Sequence, residues 1–390
     1  MNFDELKAKD QAYIANTYAR FDVWIENGNN AVCRDETGKE YVDFGSGIGV
    51  NVLGYSDRGW AEAVSKQLVT LQHTSNLYYT KPGVELAEKL CKASGFEKVF
   101  FCNSGAEANE GMIKAARKYS YDRYGEGRST IISLKNSFHG RTVTTLSATG
   151  QDHYHEFFFP FTGGFVFAPM NDIDALKEMA DNSVCAVMVE LIQGEGGVMA
   201  ADPEFIRQVR AFCDERDLLL LIDEVQTGIG HTGYFLASQA YGVQADITSL
   251  AKGLGGGLPI GAVLLSKKVE GVLSFGDHGS TFGANPAVCA GGSYVVDRIL
   301  QDGFLEEVQK KGAYIRGKLS NMEGVAEISG LGLMIGILPK EKKAGDLAKE
   351  CLQKGLLILT AKNKLRMLPP LTITYEEIDR GLAVLESVLK

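Results

Sequence analysis

The sequence predicts an α/β protein: a large, doubly wound, mainly parallel sheet, with a smaller α+β part drawn from both chain ends. Three observations carry this prediction. Short β-rich runs alternate with helical patterns from about residue 57 to 290. Residues 22–44 alternate apolar and polar positions between turn sequences, and from about 291 the pattern returns to helix followed by short apolar runs. The expected division is an N-terminal segment and part of the small domain over 1–56, a large domain over 57–290, and a C-terminal small domain over 291–390.

Taken in order, residues 22–44 (DVWIENGNNAVCRDETGKEYVDF) read as short antiparallel strands joined at Asn-Gly-Asn-Asn and Glu-Thr-Gly. KVFFCN, STIISLKNSFHG, CAVMVELIQGEGG, LLLLIDEV, DITSLAKG and GAVLLS then supply strands, separated by helical stretches such as SGAEANEGMIKAARKYSYDRY and PEFIRQVRAFCDERD. That alternation implies ligands at the C-terminal ends of the strands. The tail offers VAEISGLGLMIGILP, a helix around KAGDLAKECLQKG, and the runs LLILT and KLRMLPPLTIT.

The chain has 390 residues, 45% of them hydrophobic and 23% charged, enough for a large core without cross-links. A net charge of -9 argues against nucleic acid or an anionic membrane as the main partner. The seven cysteines contain no C-x-x-C pair and are odd in number, so they read as reduced thiols. The first residues lack a basic and then apolar leader, and no stretch is long and apolar enough to span a bilayer. Cytoplasmic is the expected location.

Leu218–Gly228 (LLLLIDEVQTG) is an apolar run that delivers Asp223 at its end, and Lys252 follows one crossover later among glycines, AKGLGGG. A lysine can take the aldehyde of pyridoxal phosphate as a Schiff base, while a buried carboxylate pairs with the pyridine nitrogen so that the ring accepts electrons. Asn103-Ser104-Gly105-Ala106 lies between a strand and a strong helix, where backbone N–H groups can hold a phosphate. Glu107 makes the same letters a plain capping box. In the loop Asn136–Thr142, Phe138 can stack on a planar ring and Arg141 can grip a carboxylate, or they are a core phenylalanine and a surface arginine.

Other chemistries fit less well. Asp223 and Glu224 also look like a nucleotide triphosphatase acid strand, and Gly312–Lys318 like the start of a phosphate loop. Leu319, however, stands where Ser or Thr should hold magnesium, and the segment follows the acid strand instead of preceding it. It reads as an amphipathic helix. His153 and His155 share a strand face at most and lack further ligands at recognisable spacing, so no metal is expected; Tyr154 and Phe157–Pro160 read as packing or interface surface. The glycines at 45, 47 and 49 lack the third glycine of a dinucleotide fingerprint.

With these residues in hand, the chain resembles the class III pyridoxal-phosphate aminotransferases, most closely their acetylornithine branch in arginine biosynthesis. The likeness runs from Asn16-Thr17-Tyr18 and Tyr41-Val42-Asp43-Phe44 through SNLYYT (75–80), FFCNSGAEANE, FHGRT, QGEGGV, IDEVQTG and AKGLGGGLPIGA to HGSTFGANP and RMLPPLTIT. It implies the type I fold of pyridoxal-phosphate-dependent transferases and transfer of the terminal amino group of N2-acetylornithine to 2-oxoglutarate. The neighbouring alternatives are ornithine δ-, succinylornithine, N-succinyldiaminopimelate and 4-aminobutyrate aminotransferases.

The resemblance further implies site roles. Lys252 anchors the cofactor and moves the proton; Asp223 pairs with the pyridinium and Gln226 with the ring hydroxyl side. Phe138 stacks on the ring, and Ser104, Gly105 and Ala106 hold the phosphate. Thr281 serves the phosphate of a second subunit, so a homodimer with shared sites is implied, with Ser280 near the substrate at that boundary. Arg141 receives the donor α-carboxylate, Arg366 the second carboxylate of 2-oxoglutarate, and Glu195 masks Arg366 in between. Tyr18 and Ile48 complete the substrate-binding set. Ile48 stands where ornithine δ-aminotransferases carry a tyrosine, and an apolar residue there favours an acylated end. Two departures, Gly54-Tyr55-Ser56-Asp57-Arg58 for the family's Gly-His-x-His-Pro turn and Leu191 for a proline, fall outside the central chemistry and bear on the loop near the substrate entrance and so on acyl preference.

Overall fold

The computed structural model describes residues 1–390. Strands β1 (Ile25–Asn29), β2 (Val32–Asp35) and β3 (Glu40–Asp43) form the predicted antiparallel N-terminal ribbon. Next come β4 (Lys98–Cys102), β5 (Thr130–Leu134), β6 (Phe165–Ala168), β7 (Val184–Val189), the short pair β8 (Ile192–Gln193) and β9 (Met199–Ala200), β10 (Leu219–Asp223), β11 (Ile247–Leu250) and β12 (Gly261–Leu265). The C-terminal part adds β13 (Val325–Leu331), β14 (Met334–Pro339), β15 (Leu356–Leu357), β16 (Leu359–Ala361) and β17 (Lys364–Met367).

The large sheet has seven strands in the order β4-β12-β11-β10-β7-β5-β6. Only β12 runs against its neighbours. Strands β7, β10, β11 and β12 are buried along their whole length, which is why they read as unbroken apolar runs and not as alternating ones. The period of two still sorts their faces. Leu219 and Leu221 pack with Met112, Ile113 and Ala116 of the helix Gly105–Tyr124. Leu220 and Ile222 join the larger core on the other face. Asp223, next in the first series, therefore turns toward that same helix.

Strand β15 pairs in parallel with β3, joining residues from the two chain ends in one four-stranded sheet, while β13, β14, β17 and β16 make another. Gly312–Lys318 lies inside the helix Phe304–Leu319, the amphipathic reading of that segment. His153 departs from the expected strand: Asp152–Tyr154 is a single 3-10 turn, too short for a ladder. The Gly45–Val50 turn is left-handed, with positive φ at Ser46, Gly47, Ile48 and Gly49; a β-branched residue rarely accepts this. No helix is long and apolar enough to cross a membrane.

Candidate active site

A cavity of about 440 Å³ opens at the C-terminal edge of the large sheet. The chain segments leaving β4, β5, β7, β10 and β11 all reach it, because parallel strands end on one side and β12 begins there. At its phosphate-sized end Ser104 caps the helix Gly105–Tyr124, its hydroxyl accepting from the Glu107 N–H at 3.1 Å. Glu107 does not reach back to Ser104 as a capping box would. Its carboxylate takes the N–H and side-chain amide of Asn103 at 2.7 and 2.8 Å. The first-turn N–H groups of Gly105 and Ala106 have no intrahelical acceptor and line the cavity. A side chain on Gly105 would meet Val225 at 2.7 Å, so glycine brings the helix end close to the loop after β10.

Asp223 is fixed from three sides. One carboxylate oxygen accepts from Asn109 Nδ2 at 2.7 Å and sits 2.8 Å from His139 Nδ1; the other accepts from the Val225 N–H at 3.0 Å. Asn109 lies one helical turn after Gly105 and also donates to the His139 carbonyl at 2.7 Å, which ties helix, loop and acid together. Glu190, leaving β7 beside Asp223, accepts from the Phe138 N–H at 2.9 Å. Burial and the neighbouring Asp223 charge push its carboxyl well above the usual carboxylate range.

Lys252 opens a short 3-10 turn after β11 with a left-handed backbone, φ 42°. A side chain on the following Gly253 would strike Val52 at 2.6 Å. Burial lowers the lysine's pKa and Arg366 adds to this, while Glu195, Asp223 and Glu190 act in the opposite direction. Behind it, Arg366 on β17 donates through Nη1 to Glu195 at 2.6 Å and to Gln226 Oε1 at 3.3 Å, and its Nε has no partner. Arg366 is 3% exposed.

The predicted residues divide into three groups. Ser104, Gly105, Ala106, Phe138, Asp223, Gln226 and Lys252 line the cavity together. Glu195 and Arg366 adjoin it through Gln226, and Arg141 stands exposed at its mouth next to Phe138. Thr281, Ser280, Tyr18 and Ile48 are not among its walls. Thr281 and Ser280 line a separate recess, although Ser280 Oγ accepts from Asn103 at 3.1 Å. Tyr18 is exposed against Arg20, and Ile48 faces an apolar hollow with Phe21 and Leu359.

Four neighbours escaped the sequence reading: Asn109, His139, Glu190 and Tyr154. Asn109 carried a usable signal, since position i+4 from Gly105 shares its helical face. Glu190 did too, ending an apolar run. His139 stood in a loop already singled out, and Tyr154 touches Phe138 only through the tertiary fold.

Residues 13–389 match the model of the family Aminotransferase class-III. The chain belongs to the class-III aminotransferases. It is 53% identical over 391 residues to the acetylornithine aminotransferase of Haemophilus ducreyi, covering 100% of this chain and 99% of that one. Among solved structures, the ornithine aminotransferase of Toxoplasma gondii ME49 superposes with a TM-score of 0.95 at 30% identity, covering 100% of this chain and 95% of the other. The N-acetylornithine aminotransferase of Stenotrophomonas maltophilia gives 0.84 at 35%, covering 98% and 97%.

Class-III aminotransferases use pyridoxal phosphate, and this cavity fits it: an anion cradle of free N–H groups, a glycine where a side chain would intrude, a threefold-anchored carboxylate, and a lysine in the same lining.

Proposed function

We propose that this protein transfers the terminal amino group of N2-acetyl-L-ornithine to 2-oxoglutarate, giving N-acetyl-L-glutamate 5-semialdehyde and L-glutamate, in arginine biosynthesis. The acetylornithine donor is supported by the 53% identity to the Haemophilus ducreyi enzyme, and the pairing of a terminal-amine donor with 2-oxoglutarate by the Arg366–Glu195 contact at 2.6 Å beside Gln226. A site that alternates between an uncharged donor end and a dicarboxylate needs a cation it can neutralise, because an unpaired buried guanidinium is costly. Glu195 neutralises Arg366 while the donor is bound. It gives way when the keto acid presents its second carboxylate.

The bound cofactor supplies an aldehyde for the amine and a ring that holds the electron pair left when the substrate carbon loses its proton. In this reading Gly105, Ala106 and Ser104 would hold its phosphate, Phe138 would pack on its ring, Gln226 would serve the ring oxygen and Asp223 the ring nitrogen. Asn109 and His139 keep Asp223 aimed. Lys252 would hold the cofactor and, once released from it, would move the proton of the substrate carbon. Burial lowers its pKa, the direction that favours the neutral amine a base needs. Arg141 takes the donor α-carboxylate at the mouth, which leaves the far amine to enter.

A homodimer is part of the proposal. Leu77, Tyr78, Tyr79, Phe275 and Phe282 are exposed around the recess that holds Thr281, an apolar surface suited to burial by a second copy. There Thr281 would reach the partner's phosphate cradle. Seven unpaired cysteines, six of them buried, suit the reducing cytoplasm.

The test separates the half-reactions. Holoenzyme given N-acetylornithine alone should lose its yellow colour and release one semialdehyde per site; 2-oxoglutarate should restore the colour and release one glutamate. Bleaching by ornithine or 4-aminobutyrate, but not by N-acetylornithine, would overturn the substrate.

A further inference from the structure

Arg141 is held in an unusual way for a carboxylate receptor. Its guanidinium carbon lies 4.3 Å from the Tyr154 ring centre and 5.6 Å from that of Phe138. The two rings are themselves 5.6 Å apart and inclined by 60°. Its one side-chain hydrogen bond is a long one, 3.5 Å, from Nη2 to the Tyr154 hydroxyl. The support behind Tyr154 is firm. His153 stacks on it at 3.9 Å, and Gln151, at the start of the same turn, donates to the Ser137 carbonyl at 3.1 Å, fastening this turn to the loop that carries Phe138.

A guanidinium attracts aromatic rings through its flat face and carboxylates through its N–H edge. The Tyr154 ring lies 4.3 Å from the guanidinium carbon and only Nη2 reaches its hydroxyl, which leaves Nε and Nη1 without a protein partner. A long, exposed arginine otherwise loses rotamer freedom when it engages a ligand, and stacking on a fixed ring removes part of that loss beforehand.

We propose that Tyr154 is a positioning residue that sets amino-donor selectivity: by stacking on Arg141 it holds the guanidinium edge toward the donor α-carboxylate. This rests on the reading of Arg141 as that carboxylate's receptor. Tyr154 is not among the residues that line the cofactor cavity, so it acts on donor capture and not on the chemical step.

The experiment compares two donors, N-acetylornithine and N-acetylputrescine, the latter having hydrogen in place of the α-carboxylate. Tyr154→Leu keeps bulk but removes the π face. It should raise KM for N-acetylornithine about fivefold with kcat unchanged, and leave the efficiency with N-acetylputrescine unaltered. Tyr154→Phe keeps the stack and should stay within about twofold of the parent for both donors, which also shows that the turn survives substitution. Equal losses for the two donors in Tyr154→Leu, an unchanged KM, or a fall in kcat alone would overturn the proposal. Arg141→Ala, run alongside, separates the two claims. Should it fail to discriminate between the donors, the receptor assignment itself is wrong; should it discriminate while Tyr154→Leu does not, only the positioning role is wrong.

Discussion

Removing Glu195 tests the economy of the site most directly. The Glu195 side chain is 27% exposed and that of Arg366 4%, so the pair is buried on the arginine side and partly wet on the other. Without Glu195, Arg366 keeps only the 3.3 Å contact to Gln226, and its Nε is already unpartnered. Breaking a fully buried pair costs about 3–5 kcal/mol; the wet side lowers this to about 2 kcal/mol. That penalty falls on the complex with the donor, whose neutral end cannot answer the charge. It is relieved in the complex with 2-oxoglutarate, which brings its own carboxylate. Glu195→Ala should therefore shift the ratio of kcat/KM for N-acetylornithine to kcat/KM for 2-oxoglutarate by roughly thirtyfold against the donor. Rapid-mixing absorbance of the two half-reactions, each with one substrate, measures both terms. A ratio unchanged within error would refute the masking argument, whatever happened to the absolute rates.

Arg366→Ala should do the reverse, costing the 2-oxoglutarate half-reaction about 2–3 kcal/mol and sparing the donor half, as the same measurement reports. Asn109→Ala strips one donor from Asp223 in a site that is 1% exposed, and should lower the unfolding free energy by about 2 kcal/mol in urea titrations. Glu190 has a raised pKa in the folded protein, so between its ordinary value, about 4.3, and its raised one the folded state binds more protons than the unfolded. Its contribution to stability is then full at low pH and is lost as pH rises through the folded value; Glu190→Gln should flatten that fall, and parallel curves for parent and variant across the pH series would contradict it. Lys252→Ala and Thr281→Asp proteins, each inactive alone, should regain activity when mixed through unfolding and refolding, because one mixed site then has both groups intact; no recovery from a mixture with dimers present would remove Thr281 from the partner's site.

The strands of the large sheet were legible because burial on both faces leaves unbroken apolar runs, and Asp223 and Lys252 stood out as charge at the ends of such runs. Strand β6 was not, since its four residues, FVFA, follow an aromatic loop of similar composition. Asn109 and His139 look ordinary in the sequence. Their meaning comes from a carboxylate more than eighty residues away in the chain, at 2.7 and 2.8 Å. Tyr154 reads in the sequence as packing or interface surface without its partners, which are set by how two loops fold over one strand end. Tyr18, Ile48 and Thr281 carry family letters yet stand away from the cavity of the single chain, and a sequence cannot say which copy a side chain serves.

The strand order has a consequence for how the molecule is made. Every strand of the large sheet, and every cavity-lining residue except Val50, falls within residues 98–265. Arg366 and strand β15, which completes the N-terminal ribbon, come much later. As the chain is made, the strands of the large sheet and nearly all of the cavity lining are therefore synthesised before Arg366 and β15 follow. The core that packs on that sheet nevertheless draws on residues from Ala31 to Val388, so the pocket's lining is made early and its support is completed only with the C-terminal part.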